Sequence, residues 1–404
     1  MPRILQHKRV VLGVSGGIAA YKMVEVARDL TLAGALVDVM LTQAALEFVT
    51  PLPFQTLTRR RVYTTVFEPW TEAEQGHVSI GEQADILVIA PATANLIAKL
   101  AHGLVDDMLT ATVLASSAPL IIAPAMDHLM YRHPATQENL ATLERRGARI
   151  IGPDQGPLAS GIVGFGRLVP PARLLAAIRA TLGARGPLAG KRVVVTAGPT
   201  LEAIDPIRFL GNRSSGRMGY ALAEAALDAG AAVTLISGPV SLPAPPEATV
   251  VPVESAAQML DAVRNAIDDA DILVMSAAVA DFRPVQVAEQ KIKKGASDRQ
   301  LQLTRTVDIL ASIDRPGLIK VGFAAETTNL LEHARDKLLA KRLDLLVAND
   351  AVGTMGSATS RASLLRPSRE PEGLPMMSKE ELAEVIIDRI AQIRPSTIPV
   401  AAGS

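Results

Sequence analysis

Short apolar runs rich in Val, Ile and Leu alternate along the chain with longer stretches whose apolar residues recur at helical spacing. Lys8-Arg9-Val10-Val11 opens one such series, and Lys191-Arg192-Val193-Val194 opens a second. The two series run in parallel. "LVDVMLT" (36–42) answers "AAVTLIS" (231–237), and "ADILVIAPATAN" (84–95) answers "ADILVMSAAVAD" (270–281). "APLIIAPAMD" (118–127) answers "LIKVGFAAET" (318–327), and "GARIIGP" (147–153) answers "LDLLVAND" (343–350). Between the runs lie segments such as "SAAQMLDAVRNAIDDA", where Met259, Leu260, Val263 and Ile267 share one helical face.

Strands alternating with helices predict parallel, doubly wound sheets with helices on both faces. The pattern therefore predicts two Rossmann-like α/β domains, each with about five parallel strands. "LGARGPLAG" (182–190) has the Gly/Pro character of a connection. The expected division is 1–183, a linker over 184–190, and 191–404. In such sheets ligands bind beyond the carboxyl ends of the strands. "SGG", "TQAA", "PATAN" and "PAMD" fall at those ends in the first half, and "TAGPT", "SGP", "SAAVAD" and "FAAET" in the second. Two ligand sites are expected.

Charge narrows the ligand classes. Lys+Arg and Asp+Glu both number 41, so a nucleic acid is not the expected main partner. No cysteine occurs, which excludes disulfides, thiolate metal ligands and a thiol nucleophile. The polar start predicts no signal peptide, and apolar runs break well short of the ~18 residues of a membrane span. A cytoplasmic protein without a membrane partner is expected.

"GVSGGIAAYK" (13–22) ends a strand and opens a helix. Ser15, Gly16 and Gly17 would let backbone N–H groups and a hydroxyl approach a phosphate. The spacing is not G-x-G-x-x-G, so a mononucleotide suits it better than a nicotinamide dinucleotide. Alone, the loop is equally compatible with a plain tight turn. Its company is more specific: "GHVSIGEQADILVIAPATANLIAKLAHGLVDD", "APAMDHLMYRHPATQENL" and "GPLASGIVGFGR" follow in order. Residues 8–170 thereby resemble the flavin-dependent cysteine decarboxylases that convert phosphopantothenoylcysteine to phosphopantetheine. The resemblance implies FMN bound by Ser15, Gly16, Gly17, Thr42, Ala92, Thr93, Ala94 and Asn95. It implies His77 as the catalytic histidine, and sites formed between subunits of trimers or their multiples.

Two positions depart from that family's pattern. Asp127 stands where the family has an Asn that donates to the substrate carboxylate. Ser160 stands where it has a Cys that donates a proton in the reduction. A second carboxylate ~4 Å from the substrate's would repel it by roughly 4 kcal/mol at an effective dielectric near 20. Burial and a like charge both raise a carboxyl pKa, so protonation of Asp127 is one expected escape. An alkyl hydroxyl is a far weaker acid than a thiol, whose pKa is about 8.5.

The second half carries "GPTLEAIDPIRFLGNRSSGRMG" (198–219), after an apolar β-branched run and before a helical stretch. It reads as a long, donor-rich loop for an anion, with Gly211, Ser214, Ser215 and Gly216 suited to a phosphate nest. "SAAVADFRP", "KIKKG", "VGFAAET", "KLLAKRLDLLVAND" and "MSKEELA" follow. Residues 191–385 resemble the phosphopantothenate–cysteine ligase domain, and the whole chain resembles the bifunctional bacterial family of coenzyme A biosynthesis. That resemblance implies carboxylate activation by CTP with Mg²⁺, giving an acyl-cytidylate that cysteine displaces, with CMP as the leaving group. It implies Asn212 at the acyl-nucleotide and Lys291 in nucleotide binding and turnover. The implied CTP site is Ala277, Asp281, Lys291, Val307, Asp308, Ile309, Leu310, Phe323, Lys337 and Lys341, with the metal ligands open and ligase dimers expected. Lys337 and Lys341 are four apart, so one helical face would offer both to a triphosphate. The small-molecule partners are then 4′-phosphopantothenate, cysteine and CTP.

Two functions follow. One is an enzyme that ligates and then decarboxylates. The other is an active ligase fused to a flavin-binding oligomerisation module, with decarboxylation impaired by Asp127 and Ser160. Arg59, Arg60 and Arg61 carry no motif and read as surface.

Overall fold

The computed structural model describes residues 3–67, 76–294, 300–326, 330–350, 359–367 and 369–394. The chain divides into two compact units, Met1–Leu182 and Gly183–Ser404. In the first, β1 (Arg9–Val14), β2 (Leu36–Leu41), β3 (Val62–Tyr63), β4 (Ile86–Ala92), β5 (Leu120–Pro124) and β6 (Arg149–Ile150) form a 6-stranded parallel sheet. Its order is β3-β2-β1-β4-β5-β6, reversing direction between β1 and β4. An antiparallel hairpin, β7 (Asp154–Pro157) and β8 (Val163–Arg167), follows.

Alternation along each strand sends neighbouring side chains to opposite faces, and both faces are covered. Val10, Leu12 and Val14 of β1 pack with Met23, Val26 and Leu30 of helix Lys22–Leu32 and with Leu174 and Ile178 of helix Pro171–Gly183. Val11 of the same strand packs on the other face with Leu96, Ile97, Met108 and Leu109. Asp38 of β2 is buried and would be untenable alone. It is held by Arg9 Nε at 2.5 Å and by Arg60 Nη2 at 2.7 Å. Arg60, expected on the surface, thus neutralises an interior carboxylate.

The second unit repeats the plan. β9 (Arg192–Ala197), a short antiparallel pair β10 (Leu201–Ala203) and β11 (Phe209–Gly211), then β12 (Ala232–Ser237), β13 (Thr249–Pro252) and β14 (Ile272–Met275) come first. After the small pair β15 (Phe282–Pro284) and β16 (Leu303–Arg305) come β17 (Ile319–Glu326) and β18 (Leu345–Asp350). Next are β19 (Thr359–Ser360), β20 (Ala362–Leu365), β21 (Glu372–Gly373) and β22 (Met377–Ser378). The 8-stranded sheet runs β13-β12-β9-β14-β17-β18-β20-β21. Its first six positions match the first sheet, and β20 and β21 extend it antiparallel.

The segment expected as a linker, 184–190, is packed. Leu188 is buried in the core of the second unit, and its N–H donates to Ala229 O at 2.8 Å. No helix among the described residues is long and apolar enough to cross a membrane.

Helix Arg217–Asp228 lies close on β9 because residue 219 has no side chain. A Cβ at Gly219 would sit 2.5 Å from Ala197 Cβ. Gly219→Ala is therefore expected to destabilise the second unit by about 1–3 kcal/mol, although Ala is intrinsically the better helix former by up to about 1 kcal/mol. Thermal unfolding would show the lower midpoint, and an unchanged or higher one would refute the close approach.

Candidate functional site

The first site opens beyond the carboxyl ends of β1, β4 and β5. Ser15 follows β1 and is buried; its hydroxyl donates to Pro91 O at 2.6 Å and accepts the Thr93 N–H at 3.0 Å. The loops after β1 and β4 are thereby locked together, and the Ser15 proton is committed to the fold. Gly16 runs so close to the segment after β2 that a Cβ would meet Ala44 Cβ at 2.4 Å. At Gly17 the nearest atom to an added Cβ is Thr93 Cγ2 at 3.9 Å, so this backbone faces open space.

That space is a cavity of about 620 Å³, lined by Gly16, Gly17, Lys22, Thr93, Met126, Asp127, Ser160 and Arg167 among others. Its size falls in the usual range of roughly 300–1,000 Å³ for small-molecule sites. Gly-rich backbone, the Lys22 and Arg167 cations and an apolar floor form a donor set suited to a phosphorylated, aromatic cofactor such as FMN. Among the described residues, Thr42, Ala92, Ala94 and Asn95 do not line it. Thr42 instead caps the short helix that starts there, accepting the Ala45 N–H, and Thr93, which does line the cavity, accepts the Leu96 N–H in the same way. His77 begins helix His77–Gln83 and is also not a lining residue.

The hairpin β7–β8 folds against the segment after β5. Met126 N–H donates to Gly166 O at 3.0 Å, and Phe165 N–H donates to His128 Nδ1 at 3.1 Å. This brings the two departures from the family pattern into contact: Ser160 Oγ donates to Asp127 Oδ2 at 2.7 Å. Asp127 also caps helix His128–Arg132, with Oδ1 accepting the Leu129 N–H at 3.0 Å. The Ser160 hydroxyl, then the Leu129 N–H, hold the Asp127 carboxyl below its ordinary value, outweighing its small desolvation. In the free cavity Asp127 is therefore a carboxylate; burial by itself does not protonate it, and the expected escape concerns the state with the substrate's carboxylate beside it.

The second site lies at the matching junction of the other sheet. Thr196 Oγ1 accepts the Ala277 N–H at 3.1 Å, and Thr200 Oγ1 accepts the Ala280 N–H at 2.9 Å. The expected long loop after β9 is in fact the β10–β11 hairpin followed by a turn. Asn212 leaves that hairpin, and its Nδ2 donates to Val279 O at 2.9 Å. Ser214 Oγ accepts the Gly216 N–H at 3.3 Å just before helix Arg217–Asp228. Asp281 and Lys291 are exposed, Phe323 is half-buried, and Ala277 borders the same loop.

Ile309 and Leu310 are core residues, so only their backbone can serve a ligand; Val307 is exposed. Lys341 follows helix Leu330–Ala340, and its N–H donates to Lys337 O at 3.1 Å, so the two lysines are one helical turn apart. The Lys341 ammonium pairs with Asp308 Oδ2 at 2.7 Å. Burial alone would raise the Asp308 carboxyl, but Lys341 and the Ala311 N–H hold it low. Among the described residues no group of three or more His, Asp or Glu side chains is placed to hold a metal.

Several residues here were not singled out from the sequence. Asp205 is buried, and Oδ1 accepts the N–H groups of Ile207 and Arg208, both at 2.9 Å. Its Oδ2 accepts Arg208 Nη2 at 2.5 Å and the Ile292 N–H at 3.2 Å. Arg208 Nη2 also donates to Ile292 O at 2.7 Å. Both backbone polar groups of Ile292 are thus clamped, which fixes the exposed residues beside it, Lys291 and Lys293. The only sequence signal was an Asp before Pro and Arg in a turn. Lys320, also buried, donates to Ile313 O at 3.0 Å and Lys341 O at 2.9 Å, tying the Asp308 and Lys341 elements together.

Burial alone would raise the Asp205 carboxyl, but its N–H and guanidinium donors hold it far below the ordinary value. A depressed folded value means the clamp is complete above the unfolded pKa of about 3.9 and is lost as pH falls through the folded value. Amide exchange across 285–294 is expected to accelerate in Asp205→Ala at neutral pH, and in the parent protein only on acidification below about pH 4. Equal protection in the two proteins would refute the clamp.

Comparison with known proteins matches the two units separately. A family model described as "Flavoprotein" matches residues 2–183, and one described as "DNA/pantothenate metabolism flavoprotein C-terminal domain" matches 188–393. The chain is 46% identical over 395 residues to the coenzyme A biosynthesis bifunctional protein CoaBC of Vibrio vulnificus strain CMCP6, covering 96% of this chain and 98% of that one. Identity to CoaBC of Bacillus subtilis is 46% over 402 residues, covering 98% and 99%. Identity to CoaBC of Escherichia coli K12 is 42% over 396 residues, covering 96% and 97%. Among solved structures, the C-terminal domain of a CoaBC is 42% identical over 51% of this chain and 96% of that one, with a TM-score of 0.45. The FMN-binding protein AtHal3 is 31% identical over 43% and 96%, with a TM-score of 0.38. The chain therefore belongs to the family of bifunctional coenzyme A biosynthesis proteins, with a flavoprotein unit followed by a pantothenate-metabolism unit.

Proposed function

We propose that the second unit makes phosphopantothenoylcysteine from 4′-phosphopantothenate, CTP and cysteine, and that the first decarboxylates it to 4′-phosphopantetheine. The chain is an enzyme of coenzyme A biosynthesis with ligase and decarboxylase activities. What carries the decarboxylase reading is the first-unit cavity, which sets the open Gly17 backbone together with the Asp127–Ser160 pair. The full-length match to bifunctional relatives favours two activities over a ligase attached to an idle flavin module.

Gly16, Gly17 and Thr93, with Lys22 and Arg167 nearby, would hold FMN, which would supply the oxidation that makes a carbanion at the α-carbon bearable. The residues orient the substrate. The hairpin β7–β8 covers it and excludes water, and Ser160 keeps Asp127 aimed into the cavity. His77 lies outside its own protomer's cavity lining, so we place its action in a neighbouring protomer's site. The exposed apolar residues Ile18, Tyr21, Leu129, Met130, Ile162 and Val163 suit such an interface. The decarboxylase then works as a trimer or a multiple of trimers, and the ligase as a dimer.

In the second unit, Lys291, Lys337 and Lys341 would meet the phosphates, with Mg²⁺ brought on the triphosphate oxygens. Lys341 would leave Asp308 to do so. Asn212 would hold the acyl-cytidylate at the mouth of the β9–β14 junction, and Asp281 and Phe323 would take the nucleoside. A cytoplasmic location fits these metabolites.

CTP, Mg²⁺ and 4′-phosphopantothenate are expected to release pyrophosphate, and added cysteine to release CMP and then carbon dioxide. Lys291→Gln is expected to slow pyrophosphate release by about 10²–10³-fold. His77→Asn is expected to slow carbon dioxide release by about 10²–10⁴-fold while flavin absorbance and ligation persist. Mixing His77→Asn with Asp127→Ala protomers should restore 4′-phosphopantetheine formation in hybrid oligomers, and no restoration would refute the shared site.

A further inference from the structure

We propose that Asp127 is the acid that protonates the substrate carbon vacated by carbon dioxide, and that Ser160 is its positioning residue. The inference rests on the decarboxylase reading above. The chain contains no cysteine, so no thiol can serve. Among the described residues, the titratable side chains that one protomer gives the cavity are Tyr21, Lys22, Asp127 and Arg167; a neighbouring protomer's His77 is the remaining candidate, and product analysis of Asp127→Asn, which keeps it, separates the two. A guanidinium does not release its proton. Phenols and ammoniums ordinarily hold theirs to about pH 10. Of the four, only a carboxylic acid would give up a proton readily to carbon, provided it is protonated at the right moment.

The substrate itself supplies that moment. The free cavity holds one ionised carboxyl, hydrogen-bonded by Ser160 Oγ and the Leu129 N–H. Phosphopantothenoylcysteine brings a second. Two carboxylates enclosed together cannot both stay ionised, so the pair takes up a proton from solvent. Lys22 after the first-strand loop and Arg167 on β8 are the cations that oppose this uptake, and the His128 imidazole lies beside Asp127. The second negative charge must outweigh them.

Cleavage then reverses the balance. The bond between the α-carbon and the carboxylate breaks, and carbon dioxide leaves uncharged. The bonding pair passes into the adjacent thiocarbonyl, which flavin-dependent two-electron oxidation of the substrate's CH₂–SH has made, giving an enethiolate. With the like charge gone, the two donors on Asp127 again favour its ionised form. Its O–H bond breaks, the electron pair stays on the carboxylate, and a C–H bond forms at the α-carbon. The enethiolate becomes a thioaldehyde ready for the reduction that the flavin provides. The Ser160 hydroxyl donates a hydrogen bond throughout and no proton.

The test is calorimetry on the full-length, FMN-loaded protein at pH 7 in two buffers of different protonation heat. The probe is 4′-phosphopantothenoylalanine, which keeps the carboxylate and lacks sulfur. The expected result is buffer-dependent heat approaching one proton taken up per first-unit site. That uptake should be lost in Asp127→Asn, and lost with the ethylamide analogue that has no carboxylate; binding to the ligase unit is the same in both proteins and cancels. With phosphopantothenoylcysteine, Asp127→Asn should release carbon dioxide but accumulate the unsaturated thiol, two hydrogens lighter than 4′-phosphopantetheine. Saturable binding with buffer-independent heat, or equal uptake in Asp127→Asn, overturns the inference and leaves the decarboxylase reading standing. A flavin-loaded protein that neither binds the probe nor releases carbon dioxide overturns both.

Discussion

A hydroxyl at the carboxyl end of the first strand ties each sheet to the loop after its fourth. In the first unit it is Ser15, bonded to Pro91 O and the Thr93 N–H. In the second it is Thr196, with Thr200 one loop further on, bonded to the Ala277 and Ala280 N–H groups. These are the points where chain direction reverses across a doubly wound sheet and a crevice opens. Backbone groups buried there must find partners, and each left unpaired costs about 1–3 kcal/mol. The hydroxyls supply those partners without filling the crevice. Gly17 and Thr93 in one unit, and Asn212 and Asp281 in the other, keep their places because the two loops cannot drift apart.

Most of the fold was legible because a parallel sheet buried on both faces writes itself as continuous apolar runs. All four paired runs occupy matching sheet positions: β2 with β12, β4 with β14, β5 with β17 and β6 with β18. The expected count of about five parallel strands fell one short in each sheet, where six run parallel, and the missing parallel strands, β3 and β13, are edges. β3 is only Val62–Tyr63, and β13 is half-exposed, so neither forms an apolar run long enough to read. The antiparallel β20 and β21 depend on pairing with β18, which no local pattern announces. Arg60 was invisible for the same reason: its partner Asp38 lies 22 residues away.

The candidate site was legible in part: Ser15, Thr42, His77, Ala92, Ala94 and Asn95 were expected in it and do not line the cavity. The glycine loop, Asp127 and Ser160 do share one cavity. That Asp127 and Ser160 touch could not be read across 33 residues, and it changes the chemistry from two separate losses to one hydrogen-bonded unit. Ser15 was expected to face a phosphate; its buried hydroxyl instead faces inward. Asp205 escaped notice because an acid in a polar turn looks like solvent-facing loop, whereas burial turns it into the anchor of the Lys291 segment.

Leu188 fixes where this polypeptide could be severed. The Gly/Pro-rich run around it invites a cut at its end, yet the leucine is a core piece of the second unit. A fragment beginning at residue 191 would leave a leucine-sized void, which in comparable cores costs roughly 2–5 kcal/mol. A separately expressed C-terminal enzyme must therefore keep the run, starting by Gly183, while residues 171–182 of the preceding helix stay with the flavin half. What looks in the sequence like a spare tether is an entropic bargain already struck: fused or split, the second enzyme carries its own doorstep.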